Sequence, residues 1–156
     1  MKKFNLSKGF TLIELLVVIA IVGVLAGAVW VAIDPLDKIN AANDSKVQSD
    51  IGSIATAVET YAASHNGFYP ASQADLTTAG DLKATLVKPN SSYADYAVSA
   101  LPAACTGGTT CTSVRFCAQL RSKKYTNAPA ATGWVYGSAN GKTCSMATID
   151  CSVNCP

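Results

Sequence analysis

A long apolar run near the start of the chain constrains its fold more than any other feature. Phe10–Ile33 contains 24 residues and a single charged side chain, that of Glu14. As a helix rising ~1.5 Å per residue, this run would be ~36 Å long, which exceeds the ~30 Å thickness of a membrane's hydrocarbon core. The run is therefore predicted to be a membrane-spanning helix, which argues against a simple cytosolic globule.

The flanks of the run indicate its orientation. Three lysines, Lys2, Lys3 and Lys8, precede it, and short cytoplasmic flanks are enriched in Lys and Arg. The apolar stretch is too long for an ordinary secretory signal, and its small residue, Gly9, stands before it instead of after it. Beyond residue 9 the chain contains nine basic and ten acidic residues. Its net charge there is close to zero, so it has no global attraction to nucleic acid.

Glu14 is an unusual residue for a membrane-spanning helix. A carboxylate within the hydrocarbon region costs roughly 2.5–3.5 kcal/mol, and no Lys or Arg follows it before Lys38. Either Glu14 is tolerated at the membrane edge, or it has a cationic partner. A cut after Gly9 would create such a partner, because the new amino group on Phe10 can pair with Glu14 of a neighbouring copy.

The segment Lys8–Val18, which reads KGFTLIELLVV, resembles the prepilin signature of type IV pilins and type II secretion pseudopilins. In that family a prepilin peptidase cuts after the glycine and methylates the new terminal residue. The resemblance therefore implies cleavage between Gly9 and Phe10, N-methylation of Phe10, and a role for Glu14 in filament assembly.

The helical pattern continues beyond the apolar run. An apolar stripe recurs at spacings of four and three residues, which is typical of an amphipathic helix: Val47, Ile51, Ile54, Val58 and Tyr61. The pattern predicts a helix from Phe10 to His65, which Pro35 either kinks or restarts, and which ends near Gly67. His65–Pro70 resembles the segment that closes the long helix in pseudopilins and their relatives.

The remaining residues are predicted to form a small head with an α+β, pilin-like fold. Alternating apolar residues predict antiparallel strands at Tyr93–Leu101, Ser113–Arg121 and Gly133–Gly137, with a short helix around Leu82–Val87. Three or four such strands packed on the amphipathic helix would bury both apolar faces. The predicted organisation is a leader at 1–9, a membrane or filament-core helix at 10–33, an amphipathic continuation at 34–66 and a head at 67–156.

Six cysteines lie within the last 52 residues: Cys105, Cys111, Cys117, Cys144, Cys151 and Cys155. An even number in a compact region beyond a membrane segment favours disulfides formed outside the cytoplasm. No pair has C-x-x-C spacing and the single histidine, His65, lies far upstream, so a metal site is the weaker alternative. Six cysteines allow 15 pairings, and the sequence does not choose among them.

The sequence shows no pattern typical of an enzyme, since it has no phosphate-binding glycine motif and no zinc-protease motif. We expect no cofactor. Calcium in the head is a minor alternative, with Asp150 as the nearest candidate ligand. The basic run Arg121–Lys124, followed by Tyr125, is expected to be a solvated loop, and contact with DNA phosphates is its alternative.

The family resemblance implies a structural role. The chain is expected to be a type IV pilus-like filament subunit, processed by prepilin peptidase and polymerised into a homo-oligomeric helical filament through its amino-terminal helix. Expected partners are membrane lipid before assembly, an inner-membrane assembly platform and minor pilins. The chain would begin as a single-pass protein of a prokaryotic cytoplasmic membrane. It would end in an extracellular pilus or, as a secretion pseudopilin, in a periplasmic pseudopilus. A DNA-uptake pilin and a membrane-anchored enzyme are two further hypotheses.

Overall fold

The computed structural model describes residues 9–127, 132–149, 151–153 and 155–156, without the side chains of residues 31 and 32. The chain divides into two compact units, Met1–Leu36 and Asp37–Pro156. Its elements in chain order are α1 (Leu12–Ile33), α2 (Pro35–Ser64), α3 (Gln73–Ala79), β1 (Ala97–Leu101), β2 (Ser113–Gln119), α4 (Lys123–Thr126), β3 (Gly133–Gly137) and β4 (Lys142–Met146).

Two helices take the place of the single helix expected over residues 10–65. Helix α1 ends at Ile33, and Asp34 has a left-handed backbone with φ 44°. Pro35 is then the first residue of α2, a position where its missing N–H costs nothing and its fixed φ suits the helix. Of the two alternatives at Pro35, the start of a new helix is confirmed.

The predicted apolar stripe on α2 is confirmed. Val47, Ile51, Ile54 and Val58 are fully buried, and Tyr61 is 5% exposed. They form one core with apolar side chains of the sheet, including Val114, Phe116, Ala118 and Tyr136. The helix therefore holds the head through one continuous apolar face, as an amphipathic helix requires.

Helix α2 ends where the glycine signal predicts. Asn66 and Gly67 both have positive φ, at 55° and 86°, and the Gly67 N–H donates to the carbonyl of Ala62 at 2.8 Å. This is a left-handed helix end of the kind that glycine favours. His65 is partly buried, and its ring stacks on Tyr61 with centroids 3.8 Å apart.

The head contains a four-stranded antiparallel sheet in the order β1-β2-β3-β4. The prediction for β3 is confirmed residue for residue, whereas β1 and β2 are shorter than expected. β1 begins at Ala97 because Tyr93 instead packs into the core against α2. The fourth strand, β4, follows the turn at Asn140–Gly141 and pairs Cys144 with Val135.

The two faces of the sheet are covered differently. One face packs against α2, and the opposite face carries Cys117, Val135 and Cys144 in register across three strands. Cys155 of the carboxy-terminal segment is buried against Cys117 and Val135. The carboxy-terminal segment thus shields the second apolar face of the sheet from water, which lets so small a head bury both faces.

One predicted helix is wrong. Leu82–Val87 is not helical, and the short helix α3 lies earlier, at Gln73–Ala79. The reason is a capping box, in which the Ser72 hydroxyl accepts from the Asp75 N–H while the Asp75 carboxylate accepts from the Ser72 N–H. Such reciprocal bonds define a helix start.

Candidate assembly and membrane-anchoring site

Gly9 and Phe10, the two residues of the predicted cleavage site, precede the first helical turn. Both are exposed and lie in non-helical backbone, and the Phe10 side chain is 80% exposed. Residues 1–8, with their three lysines, lie outside the described residues. The peptide bond that the resemblance marks for cleavage is therefore accessible and unconstrained by α1.

Glu14 is held by the start of its own helix. The Thr11 backbone N–H and the Thr11 hydroxyl both donate to Glu14 Oε2, at 2.9 and 2.7 Å, and the Glu14 N–H donates to Thr11 Oγ1 at 3.3 Å. This is a complete capping box, the same device that starts α3. The Glu14 carboxylate therefore has hydrogen-bond partners within the single chain.

The surface of α1 is apolar and uncovered. Leu12–Trp30 is a 19-residue stretch long and apolar enough to cross a membrane, and none of it is buried inside the protein. The exposed fractions of its large apolar side chains range from 49% at Val17 to 82% at Leu12. So large an apolar surface marks contact with lipid or with another protein.

Helix α2 and the head are fastened by carboxylate–tyrosine hydrogen bonds that the sequence did not predict. Asp44, which is 1% exposed, accepts from the Tyr93 hydroxyl at 2.7 Å. The Tyr96 hydroxyl donates to Asp50 at 2.6 Å. Burial, and then the adjacent carboxylate, raises the pKa of each of these tyrosines well above its usual value.

A third bond of this kind lies further along α2. The Tyr136 hydroxyl of β3 donates to Glu59, and burial followed by that carboxylate raises the pKa of Tyr136 as well. Three separate points of α2 are therefore tied to the head by polar bonds at the rim of its apolar core.

The cysteines form three disulfides, Cys105–Cys111, Cys117–Cys151 and Cys144–Cys155. The first closes a short loop whose Cys111 carbonyl accepts from the Tyr69 N–H at 2.9 Å. The other two join β2 and β4 to the carboxy-terminal segment. The prediction that these cysteines form disulfides is therefore confirmed, and their pairing is a structural finding.

The basic run lies partly in a short helix, α4, and not wholly in a loop as expected. Backbone N–H groups of Arg121 and Ser122 donate to Asp44 at 2.9 and 2.8 Å. The Arg121 guanidinium donates to the Ser92 carbonyl at 2.6 Å and lies over the Tyr93 ring. The Asp44 carboxylate thus holds this segment by its backbone N–H groups, while the Arg121 side chain binds Ser92 and Tyr93 within the head.

Within the described residues, no three His, Cys, Asp or Glu side chains come together in a way that would hold a metal ion. Asp150, the candidate calcium ligand, lies outside the described residues. Calcium binding in the head therefore stays a prediction.

The comparisons with known proteins agree with this geometry. Residues 4–30 match the model of the prokaryotic N-terminal methylation motif. The chain is also 46% identical over 57 residues to the type IV major fimbrial protein FimA of Dichelobacter nodosus, and two further FimA sequences of that organism match equally well. In this amino-terminal segment, the chain is similar to type IV pilins. No solved structure matches it.

The pilin likeness is confined to part of each protein. The 57 aligned residues cover 36% of this chain and 34–35% of the FimA sequences. The chain thus aligns with about a third of the length of the curated relatives. The motif match includes Gly9, Phe10, Thr11 and Glu14, the residues that the structure brings together at the start of α1.

Proposed function

We propose that this chain is a structural subunit of a type IV pilus-like filament. The observation that carries the proposal is α1. This helix matches the methylation motif, is apolar over Leu12–Trp30 apart from Glu14, and has the Glu14 carboxylate fixed in its first turn. Such a helix needs lipid around it in the monomer and other helices around it after assembly. Prepilin peptidase would cut after Gly9 and methylate Phe10.

The capping box gives the Glu14 carboxylate hydrogen-bond partners in the membrane-embedded monomer and leaves it able to bind a cation in the filament. Within the described chain, both Thr11 bonds reach Oε2 of Glu14, which leaves Oε1 for a cation. In a filament, the Phe10 amine of a neighbouring subunit would bind there and set the register. In a low-dielectric core such a pair is stronger than a surface ion pair, although desolvation offsets much of the gain.

Packing supplies the remaining attraction. Lipid tails are as apolar as leucine, so α1 helices associate through close contact more than through exclusion of water. Apart from the surrounding backbone of α1 itself, no atom of the described chain lies within 4 Å of the position that a β-carbon would take at Gly23 or Gly27. These glycines provide a small-residue patch where a neighbouring helix can approach closely.

The family relatives favour a pilus over the other filaments, because the matched proteins are major fimbrial proteins. A secretion pseudopilin and a DNA-uptake pilin are the competing functions. The use of the Arg121 side chain within the head makes the basic run a weaker DNA site. We also propose that the chain is not an enzyme, and that an inner-membrane assembly platform and minor pilins are its partners.

The test is electron microscopy of filaments sheared from cells, with antibody labelling of the head, combined with mass spectrometry of the sheared subunit. We expect labelled surface filaments and a chain of residues 10–156 with a methylated Phe10 amine. Gly9→Leu should leave the precursor uncut and remove the filaments. A mature chain that retains Met1–Lys8 would overturn the proposal. Antibody label confined to the periplasm would show that the chain forms a pseudopilus and not a surface pilus.

A further inference from the structure

A small cavity lies within the head, between α2 and the segment that contains α4. We call it the α2–α4 cavity; its volume is about 160 Å³. All of its lining belongs to the unit Asp37–Pro156. The side chains that matter for its chemistry come from both elements: Asp44, Ser45, Gln48, Ser122, Lys124 and Tyr125. The filament proposal uses none of them.

The buried hydroxyl of Ser122 is the feature that points to a ligand. Ser122 is 1% exposed, and its Oγ has no hydrogen-bond partner among the described residues. Its backbone is fully engaged, because its N–H donates to Asp44 and its carbonyl accepts from the Tyr125 and Thr126 N–H groups. A buried hydroxyl without a partner is unfavourable, so a molecule in the cavity that bonds to Ser122 would be stabilised there.

The other polar groups of the lining are a mixture of donors and acceptors. The Gln48 amide nitrogen donates to the Tyr125 hydroxyl at 2.7 Å. Among the described residues this leaves the Gln48 carbonyl oxygen as an acceptor and the Tyr125 O–H as a donor. The Lys124 ammonium, 4.9 Å from the centre of the Tyr125 ring, is a further donor. The Ser122 hydroxyl can both donate and accept.

The charges of the lining favour an uncharged ligand. Its charged side chains are Asp44 and Lys124, one of each sign. The Asp44 carboxylate is already surrounded by donors, since it accepts from the Tyr93 hydroxyl and from the Arg121 and Ser122 N–H groups. An anion in the cavity would lie near Asp44 and a cation near Lys124, so neither gains a net attraction.

We propose that the α2–α4 cavity binds a neutral pyranose ring, the terminal residue of a saccharide. Each sugar hydroxyl both donates and accepts, which suits a lining that offers both kinds of group. The cavity has the volume of about five water molecules, which is roughly that of one monosaccharide ring. Because Ser122 is buried whereas Ser45 and Lys124 are exposed, the ring can enter from solvent while the rest of the saccharide stays outside.

The test measures binding of methyl glycosides to the full chain in a detergent that has no sugar headgroup. The probes are the methyl glycosides of glucose, galactose, mannose and N-acetylglucosamine. We expect at least one to bind saturably in saturation-transfer NMR, with a dissociation constant of about 1 mM or tighter. A trisaccharide that ends in the same ring should bind at least as tightly, and its exclusion would overturn the assignment to a terminal residue.

Two matched serine variants locate the binding. Ser122→Ala removes the hydroxyl that has no partner, and it should weaken binding at least about ten-fold. Its free energy of unfolding should not fall, because the hydroxyl makes no hydrogen bond within the described chain. The control Ser91→Ala removes a hydroxyl from an exposed residue elsewhere on the head and should leave binding unchanged. Equal affinities in the two variants would overturn the proposal.

Two further outcomes would replace the saccharide with another occupant. If no glycoside binds and Ser122→Ala lowers the free energy of unfolding, the cavity holds structural water only and the proposal is wrong. If glucuronate binds more tightly than the neutral glycosides, the charge argument is wrong and the cavity is an anion site. Neither result depends on filament assembly, so the proposed filament role is tested separately.

Discussion

The buried carboxylate of Asp44 accepts a hydrogen bond from the Tyr93 hydroxyl at 2.7 Å, which joins helix α2 to the segment before β1. The same carboxylate accepts the backbone N–H groups of Arg121 and Ser122. Asp44 therefore connects three parts of the head. A charge this deeply buried is tolerated because several donors surround it.

Asp44→Asn should destabilise the head. The amide keeps one acceptor but turns an NH₂ group toward donors, so at least one buried N–H or hydroxyl loses its partner. We expect the free energy of unfolding to fall by about 3 kcal/mol, measured by denaturant unfolding of the full chain in detergent. The control is Asp95→Asn, whose carboxylate is 84% exposed and pairs with Lys88; it should cost no more than about 0.5 kcal/mol. Equal losses would contradict the role given to Asp44.

The carboxylate–tyrosine bonds predict a loss of stability in alkali. The pKa values of Tyr93, Tyr96 and Tyr136 are raised in the folded chain. Above about pH 10 the unfolded chain releases these phenolic protons while the folded chain holds them. The stabilisation is thus complete below about pH 10 and is lost as the pH rises further. Unfolding midpoints should hold up to about pH 10 and fall above it.

A pair of variants tests whether Tyr136 contributes to this loss of stability in alkali. Tyr136→Phe removes one of the three phenols and should make the decline above about pH 10 shallower. Tyr125→Phe should leave the decline unchanged, because the Tyr125 hydroxyl accepts its hydrogen bond from the Gln48 amide. A decline of equal slope in both variants would remove Tyr136 as a cause.

Gly108 is required by close packing as well as by its backbone. Its φ is 74°, and a β-carbon there would lie 2.8 Å from both His65 Cδ2 and the Tyr61 hydroxyl. Gly108→Ala should lower the free energy of unfolding by about 2–3 kcal/mol. Gly141 shares the positive φ, at 64°, but nothing lies within 4 Å of its β-carbon position. Gly141→Ala should cost only about 1 kcal/mol, so equal costs would refute the packing argument.

The three disulfides should differ in their contribution to stability. Cys117–Cys151 closes a separation of 34 residues and Cys105–Cys111 one of six. Loop-closure entropy predicts about 4 kcal/mol for the first and about 2 kcal/mol for the second. Paired Cys→Ser variants, compared by denaturant unfolding, measure the two values. Alkylation of the native chain without reduction should label few or no cysteines, and the reverse order of stabilities would contradict the entropic account.

Local patterns allowed much of this fold to be predicted. The stripe from Val47 to Tyr61 and the alternation in Gly133–Gly137 are short-range signals, and both match the structure. Strand β4 was missed because KTCSM has no clear alternation of large apolar residues; its pairing follows from the preceding turn. The two capping boxes, Thr11 with Glu14 and Ser72 with Asp75, are visible in the sequence as one-turn patterns but were not recognised.

Other features depend on residues distant in the chain. Asp44 gains its role from Tyr93 and Arg121, which lie 49 and 77 residues away. The disulfide pairing follows from the strand register that sets Cys117 and Cys144 on one face of the sheet. Periodicity and composition carry no information about which of 15 pairings the folded chain brings together.

Glu14→Gln separates the charge of Glu14 from its role as a helix cap. Glutamine also completes a capping box, so its amide oxygen can still accept from the Thr11 N–H and keep the start of α1. What the variant loses is the negative charge for the amine of a neighbouring Phe10. We expect cleavage after Gly9 and membrane insertion to continue, because neither step uses that pair, while filament formation falls at least about ten-fold. The measurement is the ratio of sheared filament to membrane-bound subunit on immunoblots.

Thr11→Val is the complementary variant, because it removes the capping hydroxyl and leaves the Glu14 charge. Loss of an N-cap side chain costs a helix about 1 kcal/mol, which a membrane-embedded helix of 22 residues can withstand. We expect Thr11→Val to form filaments at a modestly reduced level, well above that of Glu14→Gln. If both variants lose filaments equally, the cap is as important as the charge. If Glu14→Gln assembles at the wild-type level, the intermolecular pair has no role and Glu14 serves α1 only as its cap.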